Sequence, residues 1–343
     1  SQAYERYAYE YIGDIGAGGS IRGLFANYTD LHPHLSMHAK VHPPGPIALL
    51  WLMSYVAGRG AMGLSLATIA FGSLSVIPLF FWARDVIGRE GARIAAVLFV
   101  LMPTIVLFTA TSADIAFMPF TLTTVFLFWR AIERESIWSA IGAGIGYAIM
   151  SLLSFSLVSV GAFFGFVGLW KLRRRRLAVV QTAALMALAA GAVHAAVYYW
   201  SGFNVVESFQ QSQAQFALDQ ANVDEYMPRY PAWTFRFWNP MAWFYFAGIP
   251  VSLLFLRRLR NAEGETRWFW LIFPATLLVL DLLYLARGEG ERSAMYVMPF
   301  LVIPAADALR RLGAEGSKGP VIATAAFLAT QCWITEAIFY TYW

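Results

Sequence analysis

Apolar residues fill the chain in long runs, at 62–83, 94–110, 115–130, 137–150, 152–170, 177–200, 240–256, 268–285, 294–308 and 320–338, with short polar breaks between them. A helix rises about 1.5 Å per residue and a bilayer core is about 30 Å thick. Runs near 20 residues therefore predict transmembrane helices, and these ten, some at the short end of the range, predict an all-α, polytopic transmembrane bundle of about ten spans. The earlier run Gly45–Ala57 has only 13 residues, or about 20 Å of helix. It is predicted to lie at or dip into the membrane face, started by prolines that suit a first helical turn; an ordinary short span is the alternative. Residues 1–60 are then a first outer loop with two juxtamembrane helices, and 61–343 a transmembrane helical domain.

Charge orients this frame. The breaks at 84–93, 130–135, 171–176, 257–267 and 310–318 fall on one side and hold 17 of the 25 Lys and Arg; with Asp307 beside the last break, that side has only 8 of the 21 Asp and Glu. Positive charge marks the cytoplasmic side. The net charge of +4 thus reflects connecting loops rather than a nucleic-acid partner. With 59% hydrophobic and 13% charged residues and no long polar segment, no separate soluble domain is expected. The single Cys332 excludes an internal disulfide.

The other side collects residues 1–60, the tight turn Thr111-Ser112-Ala113-Asp114, the long loop 201–239 and the turn 286–293. Function is expected there, because the basic-side loops are mere connectors. Residues 4–15 read as an amphipathic helix with Arg6, Glu10 and Asp14 four apart, a spacing that also makes ordinary surface ion pairs. Asp14 differs, since Gly13 precedes it and Gly16, Gly18 and Gly19 follow. A carboxylate at such a helix end could meet a ligand without steric cover. Asp114 lies where two apolar runs almost touch; an ionisable group there is a functional candidate, or the N-cap of 115–130. Lys40 and His42 stand just before Gly45–Ala57, at the depth of a lipid phosphate. Arg287 and Arg292 could grip a phosphate by paired hydrogen bonds, or merely neutralise Glu289 and Glu291. Asp281 is expected to pair with one of the two arginines.

The loop 201–239 mixes acids and arginines with aromatics, which suits a sugar ring, although an interfacial aromatic belt has the same composition. Tyr226, Arg229 and Trp233, with Glu289, are its sugar or acceptor candidates. His194, inside an apolar run, reads as a helix-packing group. His32, His34, His38 and His42 could hold a metal, but their proline-broken segment lacks zinc-site spacing. No nucleotide-binding glycine loop is present.

In this order, these residues resemble the GT-C membrane glycosyltransferases, nearest to the protein O-mannosyltransferase and aminoarabinose-transferase group. Those enzymes have two juxtamembrane helices and a catalytic acid in the first outer loop, then a Pro-Pro motif like His42-Pro43-Pro44-Gly45. A second acid ends a later span, as Asp114 does, and the Gly288–Arg292 turn matches outer-loop basic residues that contact the lipid phosphate. The resemblance implies an inverting transfer of a sugar from a polyprenyl-phosphate donor to an acceptor, on the periplasmic or extracytoplasmic face of a cell (inner) membrane. Asp14, helped by Asp114, would take the acceptor proton, with Glu10 or Glu5 as substitutes, because the acid in relatives precedes an Arg-Tyr pair. Lys40, His42, Arg287 and Arg292 would balance the leaving phosphate. The implied partners are the lipid-linked donor and the bilayer, with a membrane-protein complex left open and no nucleic acid. No cofactor is called for with certainty, and a divalent cation, magnesium or manganese, stays open. Such enzymes have a span before the first outer loop; this sequence starts Ser-Gln-Ala-Tyr, so an upstream helix is expected. A non-catalytic subunit of a larger membrane complex and a lipid-carrier transporter are the alternatives.

Overall fold

A computed structural model describes residues 11–109, 112–226, 231–283, 290–312 and 318–339. Every regular element among them is helical. Four short helices lead the chain: α1 (Ile21–Ala26), α2 (Tyr28–Leu31), α3 (Met37–Lys40) and the longer α4 (Gly45–Ala57). The bundle follows as α5 (Ala61–Ser73), α6 (Val76–Leu101), α7 (Pro103–Phe108), α8 (Met118–Glu133), α9 (Ile137–Leu153), α10 (Gly161–Leu172) and α11 (Arg176–Ser201). A polar helix, α12 (Val205–Tyr226), precedes α13 (Phe235–Ala247), α14 (Ile249–Arg260), α15 (Gly264–Leu283), α16 (Gly290–Ser293), α17 (Met298–Arg310) and α18 (Gly319–Phe339).

The all-α, multi-pass membrane reading holds, but the expected count of about ten spans is not confirmed among the described residues. Six stretches of the described residues are long and apolar enough to cross a bilayer, or seven if one bent pair counts as a span. The expected run 240–256 is that bent pair: α13 and α14 meet at 106° around Gly248, whose φ is 101°. Other runs form helices of only 13 and 17 residues, α17 and α9. In the 41-residue stretch Ala61–Leu101, Gly88 leaves helical geometry at φ 80°, within the charged break read between two spans.

Burial sorts the helices. α17 is apolar around most of its circumference, and Met298 through Leu309 are all buried, as expected of a helix at the centre of a bundle. It packs against α6 and α14, and Phe300 meets Trp82 and Phe163 at ring separations of 5.9 and 5.1 Å. α11, by contrast, buries only Ala178, Thr182 and Met186, leaving its apolar surface for lipid.

The basic-side loops gather as the charge pattern predicted. Arg134 reaches Asp85 at 3.4 Å, Lys171 reaches Glu133 at 2.5 Å, and Arg175 donates to the Glu133 carbonyl at 2.8 Å. At the other end the first loop forms a second hydrophobic cluster. Tyr11, Ile12, Leu24, Tyr28, Ile47 and Trp51 pack there with Ala113, Leu152 and Phe203 from later in the chain. Arg22 donates to the Trp200 carbonyl at 2.8 Å and so ties α1 to the end of α11.

Candidate functional site

The first loop is folded from the inside by α2. The Tyr28 hydroxyl donates between the carbonyls of Ala39, at 2.9 Å, and His42. One turn on, His32 Nε2 donates to the Lys40 carbonyl at 2.8 Å. Residues four apart share a helix face, so α2 and its C-cap residue His32 together hold the whole segment from α3 to the prolines. Pro43 and Pro44 are buried. At Gly45 any side chain would drive its Cβ to 2.0 Å from the Leu152 carbonyl oxygen, so glycine lets α4 seat against the end of α9.

Asp14 closes a 3₁₀ turn, Tyr11–Asp14, and Gly16, Gly18 and Gly19 follow with φ of 103°, 72° and 73°, values that L side chains rarely adopt. This turn lays the carboxylate against α3. Ser36 donates to it from its backbone N–H at 3.1 and 3.2 Å and from Oγ at 2.6 Å. The expectation of an uncovered carboxylate is therefore corrected: Asp14 is buried. Burial raises its pKa, and the Ser36 hydrogen bonds and the Lys40 charge oppose that shift. Ser36 occupies the N-cap of α3 but makes no side-chain cap bond, because its hydroxyl turns to Asp14.

His42 packs edge-on against Tyr11 at 5.9 Å. The residue as a whole is half-buried, yet its Nδ1 is enclosed and has no hydrogen-bond partner. Burial, with the charges of His38 and Arg292, pushes its pKa down to about 3. A neutral imidazole cannot supply the positive charge expected of His42 from the sequence. Arg292, on α16, is buried, and its Nη2 lies 3.4 Å from His38 Nε2. Thr104 donates to the neighbouring Glu291 carbonyl, fixing α16 over α7.

Asp114 lies in the 3₁₀ turn Ala113–Phe117, and the N-cap is Ser112. The alternative of Asp114 as cap is corrected accordingly: Ser112 Oγ accepts from the Asp114 N–H at 3.1 Å and donates to its carboxylate at 2.6 Å. Tyr296, in the turn Met295–Val297 just beyond α16, feels the Asp114 charge. Its side chain hydrogen-bonds with Ser159 and Ser156. Ala113 shares the hydrophobic cluster of Tyr11 and Ile12, which ties the Asp114 turn to the Asp14 turn.

Asp14, Lys40, His42 and Arg292 are thus brought together, and the Asp114 turn joins them through the shared hydrophobic cluster. Trp233 stands apart, 65% exposed, with Phe237 edge-on at 6.5 Å. Tyr226 ends α12. Its side chain, and Glu5, Glu10, Arg229, Arg287 and Glu289, lie outside the described residues. Asp281 faces Arg236, which donates to its carbonyl. Sequence reasoning missed Tyr28, Ser36 and Tyr296, and also α12, whose Ser208, Gln211 and Ser212 carry buried polar atoms without partners on the helix that crosses α2 and α3. The four-residue spacing of Tyr28 and His32 was a legible signal; Ser36 and Tyr296 left none. Among the described residues no three His, Cys, Asp or Glu side chains converge as metal ligands.

A helical membrane bundle capped by this loop has the fold of the solved ArnT structures. The sequence profile described as dolichyl-phosphate-mannose-protein mannosyltransferase matches residues 41–200. Among solved structures, ArnT from Cupriavidus metallidurans in the apo state is similar over 99% of this chain and 60% of its own, with 15% identity and a TM-score of 0.63. The same protein bound to undecaprenyl phosphate matches over 99% and 61%, with 15% identity and a TM-score of 0.60. The chain spans about three-fifths of the length of ArnT. No match was found among curated proteins.

Proposed function

We propose that this protein moves a sugar from a polyprenyl phosphate to an acceptor hydroxyl, on the extracytoplasmic face of a cell (inner) membrane and with inversion. The observation that carries this reading is a buried carboxylate, Asp14, held by Ser36 within the field of Lys40 and tied through His42 and His38 to the buried Arg292. The undecaprenyl phosphate bound to ArnT supports a polyprenyl carrier as donor. The acceptor oxygen attacks the anomeric carbon as its proton passes to Asp14. The bond from that carbon to the phosphate oxygen breaks, and the phosphate leaves with its charge met by Arg292 and Lys40, the kind of electrostatic term that usually dominates catalysis. A single in-line displacement inverts the centre. Asp114 assists from the turn packed beside that of Asp14, and the unpartnered polar face of α12 meets sugar or acceptor hydroxyls. Arg287 would add to the cationic side and Glu10 would stand in for Asp14 as the acid, while Glu289, Tyr226, Arg229 and Trp233 would contact sugar or acceptor. A magnesium or manganese ion has no three-ligand set among the described residues, and no step here runs through one.

A lipid-carrier transporter would need polar groups facing each other through the bilayer centre, whereas the cluster around α17 is apolar. A subunit role in a larger complex is separated by experiment. Protein in nanodiscs is supplied with an undecaprenyl-phosphate sugar and an acceptor extract. Asp14→Asn and Asp114→Asn should each abolish release of free undecaprenyl phosphate without loss of folded protein. Equal release by wild type and both variants removes the enzymatic reading and favours the subunit.

A further inference from the structure

On the basic side, opposite the candidate site, a groove of about 670 Å³ opens beside the end of α14, lined by Leu253, Leu256, Arg257, Arg260, Asn261 and Leu312. Residues 253, 256, 257 and 260 follow the i, i+3, i+4, i+7 spacing of one helix face. Leu253 and Leu256 are 62% and 52% exposed. They precede the arginines along the helix, with about 10 Å of rise between Leu253 and Arg260, so the stripe runs from apolar to cationic towards the loop.

The arginine between them points the other way. Arg258 is buried, 2.6 Å from Asp307, and lies over the Trp270 ring at 4.3 Å. Asp307 also takes Arg310 at 2.7 Å and Arg311 at 2.9 Å. One carboxylate thus serves three guanidinium groups, and among the described residues no acid pairs with Arg257 or Arg260. Cations at a helix C-terminus and on a cytoplasmic loop are expected on general grounds. Those grounds account for the charge but not for an open groove with exposed leucines below it.

We propose that this groove binds an anionic diacyl phospholipid of the basic-side leaflet, its phosphate on Arg257, Arg260 and Asn261 and its chains along Leu253, Leu256 and Leu312. Basic pockets between helices on that side are suited to such headgroups, and each juxtamembrane cation contributes about 1 kcal/mol, or roughly fivefold in affinity. The test is native mass spectrometry of the full chain in a neutral detergent, titrated with dioleoyl-phosphatidylglycerol and, separately, dioleoyl-phosphatidylcholine. Wild type should retain the glycerol lipid at least about fivefold better. Arg260→Gln should lose about fivefold of that binding and Arg257→Gln/Arg260→Gln about 25-fold. A control, Arg89→Gln/Arg173→Gln, neutralises two exposed arginines of the same side outside the groove and should retain it. Equal binding of the two lipids, unchanged binding by the groove variants, or an equal loss in the control overturns the proposal.

Discussion

Three hydrogen bonds from Ser36 hold the Asp14 carboxylate in a place where burial raises its pKa, and they oppose that shift. A base must be ionised to act, so in the proposed reaction the acid limb of the pH–rate profile should report this balance. Ser36→Ala removes the hydroxyl donor and leaves the backbone N–H. The Asp14 pKa should then rise, and the acid limb should move to higher pH with little change on the alkaline side; an unmoved limb would separate Asp14 from the rate. Arg292 supplies a cation that His42, neutral through the physiological range, does not. Charge-assisted hydrogen bonds are worth about 1.5–3 kcal/mol, so Arg292→Gln should lower kcat/KM for the lipid donor about 10- to 100-fold. Lysine there should restore only part, having no planar fork for a phosphate.

At the scale of elements, two glycines decide where helices sit. Gly45→Ala places a methyl group into the Leu152 carbonyl and must lift α4 from α9, dragging His42 with it. The cost should be about 1–3 kcal/mol, the range for overpacking, seen as a lower Tm together with lost activity. The break at Gly248 is stitched by Gln331 on α18, which accepts from the Ile249 N–H at 2.9 Å and donates to the Tyr245 carbonyl at 2.8 Å. Within a bilayer such freed backbone groups must find partners inside the protein. Gln331→Leu leaves the Ile249 N–H unpaired, while the Tyr245 carbonyl keeps the Gly248 N–H at 3.0 Å; at about 1–3 kcal/mol for the lost partner, it should lower the Tm while KM for the donor stays put. α12 should behave in the opposite way. Ser208 and Ser212 are buried without partners, so Ser208→Ala/Ser212→Ala should not lower the Tm, yet should slow transfer if this face meets the acceptor.

For the whole molecule, the orientation predicted by charge has a direct check. Trp233 is 65% exposed on the side of the acids, and Arg173 is exposed on the basic side. In a Cys332→Ala background, a membrane-impermeant maleimide added to spheroplasts should label Trp233→Cys at once and Arg173→Cys only after permeabilisation. The reverse order would put Asp14 and Asp114 in the cytoplasm and end the extracytoplasmic assignment.

Much of this was legible in the chain itself. The length of Gly45–Ala57, the helical class and the grouping of basic loops follow from hydropathy and charge, which act locally and leave a linear trace. Asp14, Asp114 and Arg292 were nameable because charged groups beside apolar runs are costly and therefore conspicuous. Their surroundings were not. That His42 is neutral, that Ser36 rather than open space faces Asp14, that Ser112 caps in place of Asp114, and that the run 240–256 bends at Gly248 all depend on groups distant in sequence. Burial and partner choice are properties of packed neighbours, and the order of residues records which side chains exist, not which will meet.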